Sequence, residues 1–305
     1  MPMTSSYAIE VEALTKRFGK LKAVDGLSFS AEYGSVVGFI GPNGAGKTTT
    51  MRSLVGHIRP DSGRAHVAGR PYRELADPLG TVGTVLEASA VHPGRTGRNH
   101  LRILARQAGL SPRRVQEVID GVGLERAAGR RVGGYSLGMR QRLALAAALL
   151  GDPAILIIDE PANGLDPEGV RWLREFLRGL AAEGRAVLVS SHGLAELALM
   201  IDKAVVVGHG QLIAQQTLAG LRKLAGEPTV QISVSEPDRL AVLLADEGHQ
   251  VLEHTGATLT VAGNDPRAVG RVAFDHGIGV DRLLAAEPSL EEAYFRLTSG
   301  KDSIR

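Results

Sequence analysis

At 305 residues, 44% of them apolar and 22% charged, the chain has an ordinary globular composition with room for one large domain and a smaller one, which excludes disorder as the default. Its 35 lysines and arginines nearly balance 33 acids, and no basic run is dense enough to track a nucleic-acid backbone, so no nucleic-acid partner is expected. Cysteine is absent, which excludes disulfides and thiolate chemistry.

The first twelve residues lack the charged start and apolar middle of a secretion signal. Segments 9–14 and 27–31 alternate apolar with polar residues and predict strands of an antiparallel piece. Between them, Phe18 could stack on a nucleotide base, although an aromatic of that size is more often core. The apolar run 35–40 then predicts a strand, and 50–55 continues at helical spacing. Between the two lies GPNGAGKTT, residues 41–49. Gly41-x4-Gly46-Lys47-Thr48 in that context is the phosphate-binding loop pattern, which is meaningful only between a strand and a helix. Gly41, Gly44 and Gly46 permit positive φ and let backbone N–H groups approach phosphate oxygens. The helix N-terminus near Lys47 adds partial positive charge; Lys47 would reach the terminal phosphates and the Thr48 hydroxyl a Mg2+ ion.

A turn at 59–63 leads into a strand at 64–67, and a short strand at 82–86 ends at Glu87. Pro93, Gly94 and Gly97 mark a loop, followed by helical stretches at 98–108 and 111–119. The section 88–132 reads as a helical insertion whose Arg113-Arg114 and Arg130-Arg131 pairs are solvated charges. Next come Ser136, placed as a helix N-cap, and the apolar helix 143–150, far too short to cross a bilayer. Any role at a membrane is therefore expected through a partner.

Residues 154–160 form a continuous apolar strand ending in Asp159-Glu160, as a central parallel strand should read. Functional groups of such sheets gather at the carboxyl ends of the strands, so both acids are expected to face the glycine loop, with Asp159 on Mg2+ and Glu160 beside the attacking water. A tight turn at 164–167 precedes a helix at 169–182. The strand 185–190 delivers Ser191-His192 to the same edge, and a hairpin at 203–207 and 211–214 closes the sheet. Beyond 226–228 the order strand 229–234, helix 237–247, strands 249–254 and 257–262, helix 266–277, strand 280–286 and a helix from Pro288 resembles a split β-α-β module of ferredoxin-like type.

Taken together, residues 7–224 resemble the nucleotide-binding subunit of an ATP-binding cassette (ABC) transporter. The resemblance implies an α/β P-loop NTPase with an antiparallel β subdomain and a helical subdomain, plus a small α+β C-terminal domain. The boundaries follow as 7–225 for the ATPase, with its helical part about 88–150, and 228–305 for a ferredoxin-like accessory domain. It implies ATP and Mg2+ as ligands. Gly41, Pro42, Asn43, Gly44, Ala45, Gly46, Lys47, Thr48 and Thr49 form the Walker A loop, and Phe18 stacks on adenine. Asp159 ends the Walker B strand, Glu160 is the catalytic glutamate, Asp166 of the D-loop is a further ATP-binding residue, and His192 is the switch histidine. Ser136 and Gly138, of the signature motif, contact ATP held by the other protomer. Glu87 falls where the family usually has the glutamine of the Q-loop, joining Thr48 and Asp159 near the metal.

Two residues depart from the family pattern. Glu87 adds negative charge beside phosphates, and Leu137 replaces the first glycine of the usual Ser-Gly-Gly. Both look like the drug- and antibiotic-exporter branch, similar to bacitracin- and daunorubicin-resistance ATPases. That implies a homodimer driven shut by ATP, integral membrane permease subunits as partners, and a peripheral position on the cytoplasmic face of the membrane. A soluble ABC-type ATPase, an ordinary P-loop kinase and a nucleotide-sensing regulator are the competing readings.

Overall fold

The computed structural model describes residues 7–86, 91–192 and 197–286; Glu87, the segment 193–196 and the helix expected from Pro288 lie outside them. The chain divides into two compact units, Met1–Leu218 and Ala219–Arg305.

In the first unit, β1 (Tyr7–Phe18), β2 (Leu21–Glu32) and β4 (Ser62–Val67) form a three-stranded antiparallel sheet in the order β2-β1-β4. A six-stranded sheet runs β5 (Val82–Val85), β6 (Ile155–Ile158), β7 (Ala186–Ser191), β3 (Val36–Ile40), β8 (Lys203–Gly208) and β9 (Gln211–Thr217). All its neighbours are parallel except the β8–β9 hairpin. Strands β3, β6 and β7 are buried at every position, which is why they read as apolar runs rather than alternating ones, broken only by Ser190 and Ser191 at the end of β7. The two sheets share one apolar core that includes Ile9, Leu14, Leu27, Phe29, Phe39, Met51, Ile155, Ile157 and Leu188.

Among the described residues this unit also carries helices α1 (Lys47–Leu54), α2 (Pro78–Thr81), α3 (Gly97–Gln107), α4 (Pro112–Gly121), α5 (Leu137–Ala148) and α6 (Pro167–Ala182). Side-chain oxygens set five of the starts, the first being that of α2, where Asp77 accepts from the Gly80 N–H. Thr96 accepts from the Asn99 N–H, Ser111 from Arg113, Ser136 from Met139 and Asp166 from Gly169. The Ser136 cap moves the beginning of α5 to Leu137, six residues ahead of the apolar run read from the sequence.

One expectation is corrected here. Arg114 is not a solvated charge: its guanidinium donates to the carbonyls of Leu149 (2.7 Å) and Leu150 (3.1 Å) at the end of α5, and to Asp152 Oδ1 (2.9 Å). Arg185 Nη2 donates to the same Asp152 oxygen at 3.1 Å. Burial pushes the Asp152 carboxyl up, but the Arg185 and Arg114 guanidinium groups outweigh it and hold the group below its ordinary value. A depressed pKa stabilises the fold above the unfolded value, near 3.9 for aspartate, and that stability is lost on acidification. Asp152→Asn should therefore lower the melting temperature at pH 7 by about 1–3 °C, a modest effect because the carboxylate is exposed. The gap to wild type should close below about pH 4, and a gap unchanged at pH 3.5 in thermal scans would refute the pairing.

The second unit carries β10 (Thr229–Val234), β11 (Val251–Thr255), β12 (Thr258–Ala262) and β13 (Val280–Ala286) in one antiparallel sheet ordered β11-β12-β10-β13. After α7 (Leu218–Ala225), helices α8 (Pro237–Asp246) and α9 (Pro266–Asp275) pack on it. Val230, Ile232, Leu240, Leu244, Leu259, Val261 and Val272 make a core of its own.

Candidate active site

Strands β6, β7 and β3 are sheet neighbours, and their register decides what meets at the carboxyl edge. Ile158 pairs with Val189 and Ile40 with Ser191. Asp159 and Glu160 therefore leave β6, His192 leaves β7 and Gly41 leaves β3 side by side. The glycine loop then turns into α1, whose N-cap Gly46 has φ +95° and supplies no side-chain cap. The first-turn N–H groups are consequently left to an incoming anion. Glycine is required at 46 on two counts, since a Cβ there would also stand 2.4 Å from the Ala23 carbonyl oxygen.

Lys47 is only 6% exposed. Its ammonium donates to the Gly41 carbonyl at 2.6 Å and the Pro42 carbonyl at 3.2 Å, and lies 3.5 Å from Glu160 Oε1. Thr48 Oγ1 donates to Asp159 Oδ2 at 2.7 Å. Glu160 Oε2 is 2.8 Å from His192 Nδ1, a ring 49% exposed on its side chain. So a chain of polar contacts runs from the glycine loop through both acids to the histidine.

Ser190 was read from sequence only as part of a buried strand, and it proves to organise the acids. Fully buried, its hydroxyl donates to Asp159 Oδ1 and accepts the Glu160 N–H at 2.9 Å. That second bond holds Glu160 at φ +49°, a left-handed conformation costing a non-glycine residue about 1–3 kcal/mol. A polar residue inside an otherwise apolar strand was the signal that could have found it.

A cleft of about 380 Å³ opens over these groups, lined by Phe18, Pro42, Asn43, Gly44, Gly46, Lys47, Thr48, Thr49, Glu160 and His192. Leu21, Ala23 and Asn163, which the sequence reading did not single out, line it too. Phe18 is not core: half exposed, it pairs with Leu21 across the β1–β2 turn and presents an apolar rim. Gly41 and Ala45 are buried beneath the loop. Ser136, Gly138 and Asp166 do not line this cleft, and Ser136 and Asp166 are exposed helix caps.

Backbone N–H groups at a helix start, a buried ammonium, and a hydroxyl bonded to a carboxylate suit a string of phosphates with an attached base at the apolar rim. That defines a P-loop nucleotide-binding protein. Comparison with known proteins carries the assignment further. A family model described as ABC transporter matches residues 24–163, and one described as a domain of unknown function matches 228–291. The bacitracin transport ATP-binding protein BcrA of Bacillus licheniformis is 32% identical over 302 residues, spanning 97% of this chain and 98% of that one. The daunorubicin resistance ATP-binding protein DrrA2 of Streptomyces coeruleorubidus is 35% identical, spanning 96% of this chain and 95% of its own length. The Nod factor export ATP-binding protein I of Rhizobium sp. (strain N33) is 36% identical, with 96% and 98% covered. A solved ATP-binding subunit of an ABC transporter matches with a TM-score of 0.63 at 29% identity, over 71% of this chain and 92% of that one. The chain belongs to the family of ABC transporter ATP-binding proteins.

Proposed function

We propose that this chain hydrolyses ATP to drive export of a drug, antibiotic or lipid-like compound through a separate permease. The observation that carries the reading is the meeting of Lys47, Glu160 and His192 at the mouth of one phosphate cradle. The names of the relatives, which concern bacitracin, daunorubicin and Nod factor, support an amphipathic or hydrophobic cargo. Among the described residues no helix is long and apolar enough to cross a membrane. The likeness to transporter ATP-binding proteins supports a peripheral place at the cytoplasmic face, held there by the permease.

Residues 41–49 wrap the phosphates and Phe18 receives the adenine. The γ-phosphate takes Lys47 from the carbonyls that now hold it. Glu160 then accepts a proton from a water aligned with the γ-phosphate, while His192 fixes the carboxylate's orientation. Thr48 and Asp159 fit Mg2+, an ion that binds through one or two protein oxygens alongside substrate phosphates, and Glu87 is a third oxygen assigned there by resemblance alone. When bound, the ion neutralises phosphate charge.

Ser136, Gly138 and Asp166 serve the ATP of a second copy, a reading supported by the family resemblance and by their not lining the cleft of their own chain. Two copies thus close on two nucleotides, and the closure moves the permease. Residues 7–225 form the ATPase, with a helical part about 88–150, and 228–305 an accessory domain of ferredoxin-like type. The sheet order β11-β12-β10-β13 with two helices supports that last reading.

Association tests the proposal. Purified from its own cells with MgATP, the tagged Glu160→Gln chain is expected to bring down an integral membrane protein with several spans. Recovery from the soluble fraction alone, with no membrane partner, would replace the exporter by a stand-alone ATPase.

A further inference from the structure

Leu137, the departure from the family's glycine, has a defined seat. Its Cδ2 lies where a Cβ on Gly164 would come within 2.6 Å, so the leucine packs on bare D-loop backbone that has φ +69°. Leu165 reciprocates, with Cδ2 at van der Waals distance, 3.7 Å, from the place of a Cβ on Gly138. Further along α5, the Arg142 guanidinium stacks 3.9 Å from the ring centre of Trp172 on α6, and Trp172 stacks in turn on Phe176. Arg142 Nη1 also donates to the Val122 carbonyl at 3.0 Å, just beyond α4. Behind these seats, the Asn163 N–H donates to the Glu160 carbonyl at 3.3 Å, which ties the D-loop turn to the catalytic glutamate.

We infer that Arg142 on Trp172 and Leu137 on Gly164 clasp the signature helix to the D-loop helix of the same chain, carrying Ser136 and Asp166 to the partner copy as one unit. This rests on the dimer reading above. Arg142 is a positioning residue: it is absent from the cleft and acts through the orientation of α5 on α6. Burial draws its pKa down, and the carboxylates of Glu168, Asp166 and Glu125 only partly oppose that shift. A stack of this kind, partly shielded from water, is strong enough for its loss to shift an equilibrium about tenfold.

The test uses the full chain in the Glu160→Gln background with MgATP. Adding Arg142→Ala should raise the protein concentration for half-dimerisation about tenfold, with Arg142→Lys recovering part of the loss. Monomer affinity for a fluorescent ATP analogue should stay within about twofold of the parent, as expected for a site distant from the substitution. Trp172 is the single tryptophan, so its emission reads the clasp directly. Emission should change on Arg142→Ala and stay constant when MgATP closes the parent. Should Arg142→Ala fail to fold, Leu137→Gly, an exposed site, should raise the same half-dimerisation concentration. Unchanged dimerisation of either folded variant, or a shift of Trp172 emission on closure, overturns the clasp. A Glu160→Gln parent that never dimerises overturns the dimer reading instead.

Discussion

Replacing Glu160 by glutamine should slow ATP hydrolysis by about 10²- to 10⁴-fold, the range a positioned proton acceptor contributes. Glutamine keeps the length and can still bond His192, whose Nδ1 is 2.8 Å from the carboxylate. What it loses is the capacity to take a proton from water. The backbone is already committed at this position, because the Ser190 hydroxyl holds the Glu160 N–H in a left-handed conformation. Geometry should therefore survive the change, and ATP binding with it. Phosphate release and equilibrium nucleotide binding, measured on the same preparation, check both halves. Normal hydrolysis by Glu160→Gln would remove this residue from the chemistry.

Lys47→Ala has a different profile, in which affinity itself falls. The ammonium is buried and spends its donors on the Gly41 and Pro42 carbonyls until phosphate arrives. Each hydrogen bond from a charged group to phosphate is worth about 1.5–3 kcal/mol, so losing two should weaken ATP at least about a hundredfold. Hydrolysis should disappear with it. Removal also strips Glu160 of the cation 3.5 Å from its Oε1. Titration of a fluorescent ATP analogue into wild type and variant gives the comparison, and an unchanged dissociation constant would contradict the assignment.

Local spacing made much of this site legible. Gly41 to Thr49 could be read because each residue acts through its own neighbours along the chain: two positive-φ glycines, then a helix start. The central strands were legible because burial on both faces leaves no polar positions, so Ile155–Ile158 ends visibly at two acids. Phe18 was weighed against the core because its type is usually buried, whereas its place at a hairpin turn opposite Leu21 leaves it half exposed. Arg114 looked solvated because helix spacing says nothing about which carbonyls end a different helix.

The sequence by itself determined the nucleotide class, the loop that wraps phosphate and the strands that carry the acids, since these depend on residue type and short-range order. Only the tertiary structure decided that Ser190 aims both acids, that Ser136 and Asp166 are exposed caps outside the lining of their own cleft, and that Leu137 and Arg142 seat on the D-loop and its helix. The physical reason is pairing across distance: strand register and helix packing join residues that are far apart in the chain, and neither leaves a mark in local spacing.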